Sequence, residues 1–230
     1  MKNVFGKVFC LVIALTFAFL LLSCASLTER ILSRDDDTRT SALEEIRKMD
    51  NDSKEKLVPV LMDNLYERYA VDALVVIGPP AVPALIARAK AGDDNPAISA
   101  LGEIGPAARD AIPSLIHMLV FEDGIGNQFG ENHCRVKVID ALEAIGHDAV
   151  PALIGELGNE NSAVREDINR ILKAVGPVTK ADVPKLLVAL GNEKSRKYAA
   201  GILGDMGSDA SEAVPALIVN CNRKLTHLEA

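Results

Sequence analysis

The chain has 230 residues, of which 49% are apolar and only 4% aromatic, and it carries a formal net charge of −7. The apolar share is enough for a buried core and excludes a wholly disordered chain. The acidic balance argues against nucleic-acid binding, which needs a basic face. The length fits one ordinary domain or a short repeat array.

Lys2 and Lys7 open the sequence, and Val8 to Leu22 follow with Thr16 as their one polar residue. That stretch is short for a permanent membrane-crossing helix, which needs ~20 residues, and it has the length of a signal-peptide apolar region. Residues 1–23 are therefore read as an export signal. Leu21-Leu22-Ser23-Cys24 resembles the lipobox of bacterial lipoproteins. The resemblance implies that Cys24 is acylated and becomes the first residue of the mature chain. Ala25 after the Cys, instead of Asp, is similar to the outer-membrane sorting preference of Gram-negative lipoproteins. Ordinary cleavage after Ala25 and a retained anchor are the alternatives. Four of the six Phe leave with the signal, so the remaining core must be built from Leu, Ile, Val and Ala.

From residue 24 onward the sequence repeats itself. Leu27, Ile31 and Leu32 suggest a short first helix, SRDDD a turn, and Thr40 to Met49 its partner. One phrase then recurs: LVPVLM at 57–62, AVPALI at 81–86, AIPSLI at 111–116, AVPALI at 149–154, DVPKLL at 182–187 and AVPALI at 213–218. A second alternates with it: ALVVIG at 73–78, ALGEIG at 100–105, ALEAIG at 141–146, ILKAVG at 171–176 and ILGDMG at 202–207. Two phrases alternating at about 30 residues indicate a two-element repeat. Both read as helices. Proline at the first turn loses no needed N–H and presets φ. Val82, Leu85 and Ile86 share a face by i, i+3, i+4 spacing. Gly78, Gly105, Gly146, Gly176 and Gly207 are expected to close the second helices in the left-handed conformation of a C-terminal cap. Such a helix pair cannot bury its apolar stripe alone but can do so stacked on copies of itself.

These phrases resemble the HEAT-repeat family, in particular the short HEAT-like repeats of phycobilisome lyase-type proteins, whose second helix often reads VRxxAAxALGxIG. HCRVKVIDALEAIG (133–146), AVREDINRILKAVG (163–176) and KSRKYAAGILGDMG (194–207) follow that pattern in part. The resemblance implies an all-α fold: a right-handed α-solenoid of about six stacked antiparallel helix pairs plus a C-terminal capping helix at 210–226. It would occupy 24–230. It also implies that Arg135, Arg165 and Arg196 take the family's Arg position in a ladder of polar contacts between repeats. Glu67 and Asp94 stand there in the two earlier repeats.

One repeat is long, with the excess at FEDGIGNQFGENH, 121–133. Insertions in repeat proteins map to loops on one edge and often mark a binding surface. Phe129 in this loop either contacts a partner or tucks the loop onto the body. Glu122, Asp123, Glu131, His133 and Cys134 lack the spacing of a calcium loop or of paired zinc ligands. No GxSxG elbow and no phosphate-cradling loop appears. No catalytic residue, metal or cofactor is therefore expected. Cys134 and Cys221 lie about three repeats apart, beyond the ~7 Å Cα separation a disulfide allows.

The reading that follows is a non-enzymatic protein–protein interaction module, exported and lipid-tethered to the cell envelope. In a Gram-negative cell this is the periplasmic face of the outer membrane. The candidate partner-binding residues are Phe129, Arg135, Arg165, Glu166, Asn169, Arg196 and Tyr198. An accessory subunit of a lyase-like enzyme and a structural envelope spacer are the competing readings.

Overall fold

The computed structural model describes residues 27–91, 95–121 and 131–219. The export signal, Cys24, Phe129 and Cys221 lie outside these residues. Among the described residues every regular element is helical. There are eleven α-helices, and short helical stretches at 27–31 and 214–219. The chain divides into two compact units, 1–84 and 85–230.

In the first unit, α1 (Asp36–Lys48), α2 (Asn51–Asp63) and α3 (Arg68–Ile77) pack together, and α4 (Val82–Lys90) begins there. α1 and α2 start at side-chain caps. Asp35 accepts from the Thr38 N–H at 2.9 Å, and Asp50 from the Ser53 N–H at 2.8 Å. Each such cap satisfies an orphan donor of the first turn. The early cap at Asp50 corrects the sequence reading at LVPVLM. There Pro59 is not at a helix start but inside α2. It is tolerated because Pro59 and Val60 face outward, while Leu57, Val58 and Leu61 are buried. The ring's missing hydrogen bond therefore leaves a carbonyl on the wet side of the helix.

In the second unit the elements are α5 (Asn95–Ile104), α6 (Ile112–Phe121), α7 (Glu131–Ile145), α8 (Val150–Gly155), α9 (Ser162–Ala174), α10 (Val183–Gly191) and α11 (Arg196–Asp205). They pack as two interleaved series. α7 lies against both α5 and α9, and α8 lies against both α6 and α10. Pro113, Pro151 and Pro184 each occupy the second residue of their helix, behind a short 3₁₀ turn. All five glycines that close the second phrase have positive φ: 73° at Gly78, 67° at Gly105, 84° at Gly146, 101° at Gly176 and 56° at Gly207. No other residue of the described chain has positive φ. In the second unit the two phrases are thus a start signal and a stop signal, as the residue types require.

The core is Leu, Ile, Val and Ala with one buried Met and no aromatic among the described residues. Small side chains permit close helix contact. A Cβ on Gly102 of α5 would stand 3.0 Å from the Cα of Ala141 on α7. The insertion is shorter than its sequence suggests, since Phe121 still belongs to α6 and Glu131 already to α7. Phe121 is 60% exposed, with its ring 4.6 Å from that of the exposed His117.

Candidate functional site

The three arginines singled out by the repeat pattern are half-buried and tied to the backbone of the fold. Each sits in the first turns of its helix; Arg135 and Arg196 donate to carbonyls in the last turn of the preceding helix, and Arg165 to carbonyls of the connection before its own helix. Arg165 Nη1 donates to the carbonyls of Asn159 (2.6 Å) and Glu160 (2.9 Å), and Arg196 Nε to that of Leu190 (3.3 Å). Arg135 Nη1 reaches the Leu119 carbonyl at 3.4 Å. Helix C-termini expose unsatisfied carbonyls and the negative end of the dipole, so a cation is favourable there. In the first unit Arg39 does the same, donating to the Ser33 carbonyl at 3.0 Å while stacked over the Tyr69 ring. Sequence reasoning missed Arg39. Its signal was present, since Ala42, Ile46 and Met49 follow it with the spacing of Val138, Leu142 and Ile145 after Arg135. Its helix lacks the closing glycine on which the alignment rested.

Arg135 also spans two helices. Its Nε lies 2.7 Å from Asp167 Oδ2 on α9, with both side chains 21% exposed. The equivalent contact is not made one repeat later. The position two residues after the arginine carries Asp167 in α9 but Tyr198 in α11. Arg165 Nε is buried with no hydrogen-bond partner.

α5 and α7 are in close contact and α7 packs on α9, whereas α11 takes its main packing from α10. The space between α9 and α11 is a groove of about 380 Å³. Glu166, Asn169 and Lys173 line one wall, and Lys197, Tyr198, Gly201, Ile202 and Asp205 the other. A Cβ at Gly201 or Gly204 would meet nothing within 4 Å. Among the described residues Glu166, Lys173 and Asp205 form no ion pair, and Lys197 rests over the Tyr198 ring at 5.7 Å. The groove therefore offers both signs of charge, an amide, the half-buried ring of Tyr198 and the edge of the buried Ile202. None of its ionisable side chains is hydrogen-bonded to another, as a nucleophile and its base would be.

Of the residues named from the sequence, the structure brings Glu166, Asn169 and Tyr198 together in this groove. It places Arg135, Arg165 and Arg196 at the helix ends described above. Lys173, Lys197, Gly201, Ile202 and Asp205 were not foreseen. Their signal is the lack of a helix pressed against α11, which no single helix's sequence states. At the rim, Lys194 on the turn before α11 pairs with Glu160 on the turn before α9. The hydrogen bond and charge of Lys194 hold the Glu160 carboxyl below its usual range. No cluster of three metal-ligating side chains occurs among the described residues. No family model matches the chain, and no curated protein is recognisably similar to it.

Proposed function

We propose that the protein is a non-enzymatic interaction module that docks a protein partner in the groove between α9 and α11. One observation carries this reading. Glu166, Lys173, Lys197 and Asp205, with no ion pair among the described residues, line the groove between α9 and α11 together with Tyr198 and Ile202, while a groove of about 350 Å³ between α5 and α7 has the small Gly102, Ala141 and Ala144 in its lining and no aromatic side chain. A partner presenting complementary charges beside an aromatic or aliphatic anchor would satisfy these groups, which is the usual anatomy of a docking site.

The helices belong to a right-handed α-solenoid of stacked hairpins of the HEAT-like kind. Support comes from the regular register of the two phrases and from the serial packing within the second unit. The module is exported and tethered by a lipid on Cys24, a reading that rests on the apolar stretch 8–22 and the Leu21-Leu22-Ser23-Cys24 sequence.

The test fills the groove. Gly201→Arg places a long side chain where a Cβ meets no neighbour, so the fold should be retained while the partner is excluded. The expected result is loss of a partner that co-purifies from native membranes with the wild type, at unchanged helicity. Retention of that partner by Gly201→Arg would remove the groove from the account. Labelled palmitate should enter the wild type and not Cys24→Ala; an unlabelled wild type would remove the tether.

A further inference from the structure

In the first unit the folded body starts at residue 27. Leu27 is 4% and Ile31 0% exposed, and Thr28 between them is buried too. The short 27–31 helix is therefore seated in the core and is not a loose arm leading into the fold. Side-chain ties fix its direction. Arg39, near the start of α1, donates to the Ser33 carbonyl at 3.0 Å. Arg30 pairs with Glu45 at 2.7 Å and reaches the Ser41 hydroxyl at 3.4 Å. The partners move up α1 as the chain is followed back, so the two helices form an antiparallel hairpin. Residue 27 thus lies toward the last turn of α1, beside the corner where Met49 and Asp50 lead into α2.

Cys24 stands three residues before Leu27, and three residues of fully extended chain span at most about 11 Å. We propose that the α1–α2 corner of the first unit rests against the phospholipid headgroups of the membrane that holds the lipid on Cys24. The proposal rests on the tether named above and adds that this tether is too short for the body to stand off the surface. The chemistry of the corner sets its depth. Residues 47–56 carry Arg47, Lys48, Lys54 and Lys56 beside Asp50, Asp52 and Glu55. None of the exposed large apolar side chains of the described residues falls among them. Charges of both signs match the phosphates and amines of a headgroup layer, whereas the hydrocarbon interior excludes them. The corner therefore lies on the membrane and does not enter it.

The test uses the full chain, acylated in cells and reconstituted into vesicles of phosphatidylethanolamine and phosphatidylglycerol. A fluorophore is attached at Lys48→Cys, at the end of α1, or at Arg34→Cys, before its start, with Cys134→Ala and Cys221→Ala in both. α1 is about 20 Å long, so a spin label on the lipid headgroup should quench the probe at 48 at least about twofold more than the probe at 34. A spin label deep in the acyl chain should quench neither. Inserting about 20 Gly-Ser residues between Ala25 and Ser26, a coil of roughly 25 Å, should abolish the difference while palmitate labelling stays. Equal quenching at 48 and 34 in palmitate-labelled protein overturns the proposal and leaves the tether standing. A difference that survives the inserted linker overturns it too, because the contact would then not follow from the short tether. So does quenching at 48 by the deep label, which would put the corner in the hydrocarbon. An unlabelled wild type removes the tether itself, and this proposal with it.

Discussion

Two glycines inside helices of the second unit make the same substitution act in opposite directions. Gly in a helix interior costs about 0.5–1 kcal/mol relative to Ala through backbone entropy. At Gly201 an added methyl meets nothing, so Gly201→Ala should stabilise by about that amount. At Gly102 the methyl would press on the Ala141 backbone at 3.0 Å. Overpacking costs about 1–3 kcal/mol, which outweighs the entropic gain, so Gly102→Ala should destabilise by about 1 kcal/mol net. Urea unfolding of the two variants checks this; equal shifts of the same sign would mean that α5 and α7 are not in close contact. The five closing glycines were legible in the sequence because each follows an apolar helix phrase and only glycine takes positive φ without strain. Gly102 was not separable in this way from Gly204, which holds its position in the repeat: ALGEIG and ILGDMG look alike, yet a Cβ at Gly204 would meet nothing within 4 Å, and only the neighbouring helix decides which glycine is pressed.

Among elements, the bridge from α7 to α9 and the caps of the first unit carry the clearest expectations. The Arg135–Asp167 pair is neither fully exposed nor fully buried. A double-mutant cycle with Arg135→Ala and Asp167→Ala should give a coupling of about 1 kcal/mol, above the usual exposed pair. Arg135→Ala alone should cost more than Asp167→Ala, because it also gives up the Leu119 carbonyl. A coupling of zero would reduce this contact to a surface accident. At the start of α2, the Ser53 backbone N–H, followed by its hydroxyl, holds the Asp50 carboxyl below its usual range. A carboxyl with a lowered folded pKa stabilises above its unfolded value of ~3.9 and loses that contribution as pH falls through the folded one. Asp50→Ala should therefore melt lower than wild type at pH 7, with the gap closing as pH falls below about 4. A gap that persists at pH 2 would show that the cap acts without its charge. The Asp50 cap also explains the misplaced start at LVPVLM, where the repeated proline phrase outweighed DNDS at 50–53 as a helix-entry signal.

For the molecule as a whole, the all-helical class and the alternation of start and stop signals could be read from one sequence, because both are local. The proline phrase, the closing glycine and the apolar spacing act within a few residues. The candidate site could be read only in part. Glu166, Asn169 and Tyr198 were reachable because they lie on the outer face of second helices. Their meeting in one groove depends on α11 packing chiefly on α10, a relation between helices that periodicity within each one does not encode. The central claim is that this groove receives a partner. The most direct measurement replaces Tyr198 with a photo-crosslinking phenylalanine derivative, irradiates intact cells, and compares the adducts with those from the same probe at Ser99, which lines the groove of similar size between α5 and α7. The account predicts one discrete protein adduct from position 198, none from position 99, and loss of the adduct when Gly201→Arg is added. No adduct at 198, or the same adducts from both positions, would contradict it.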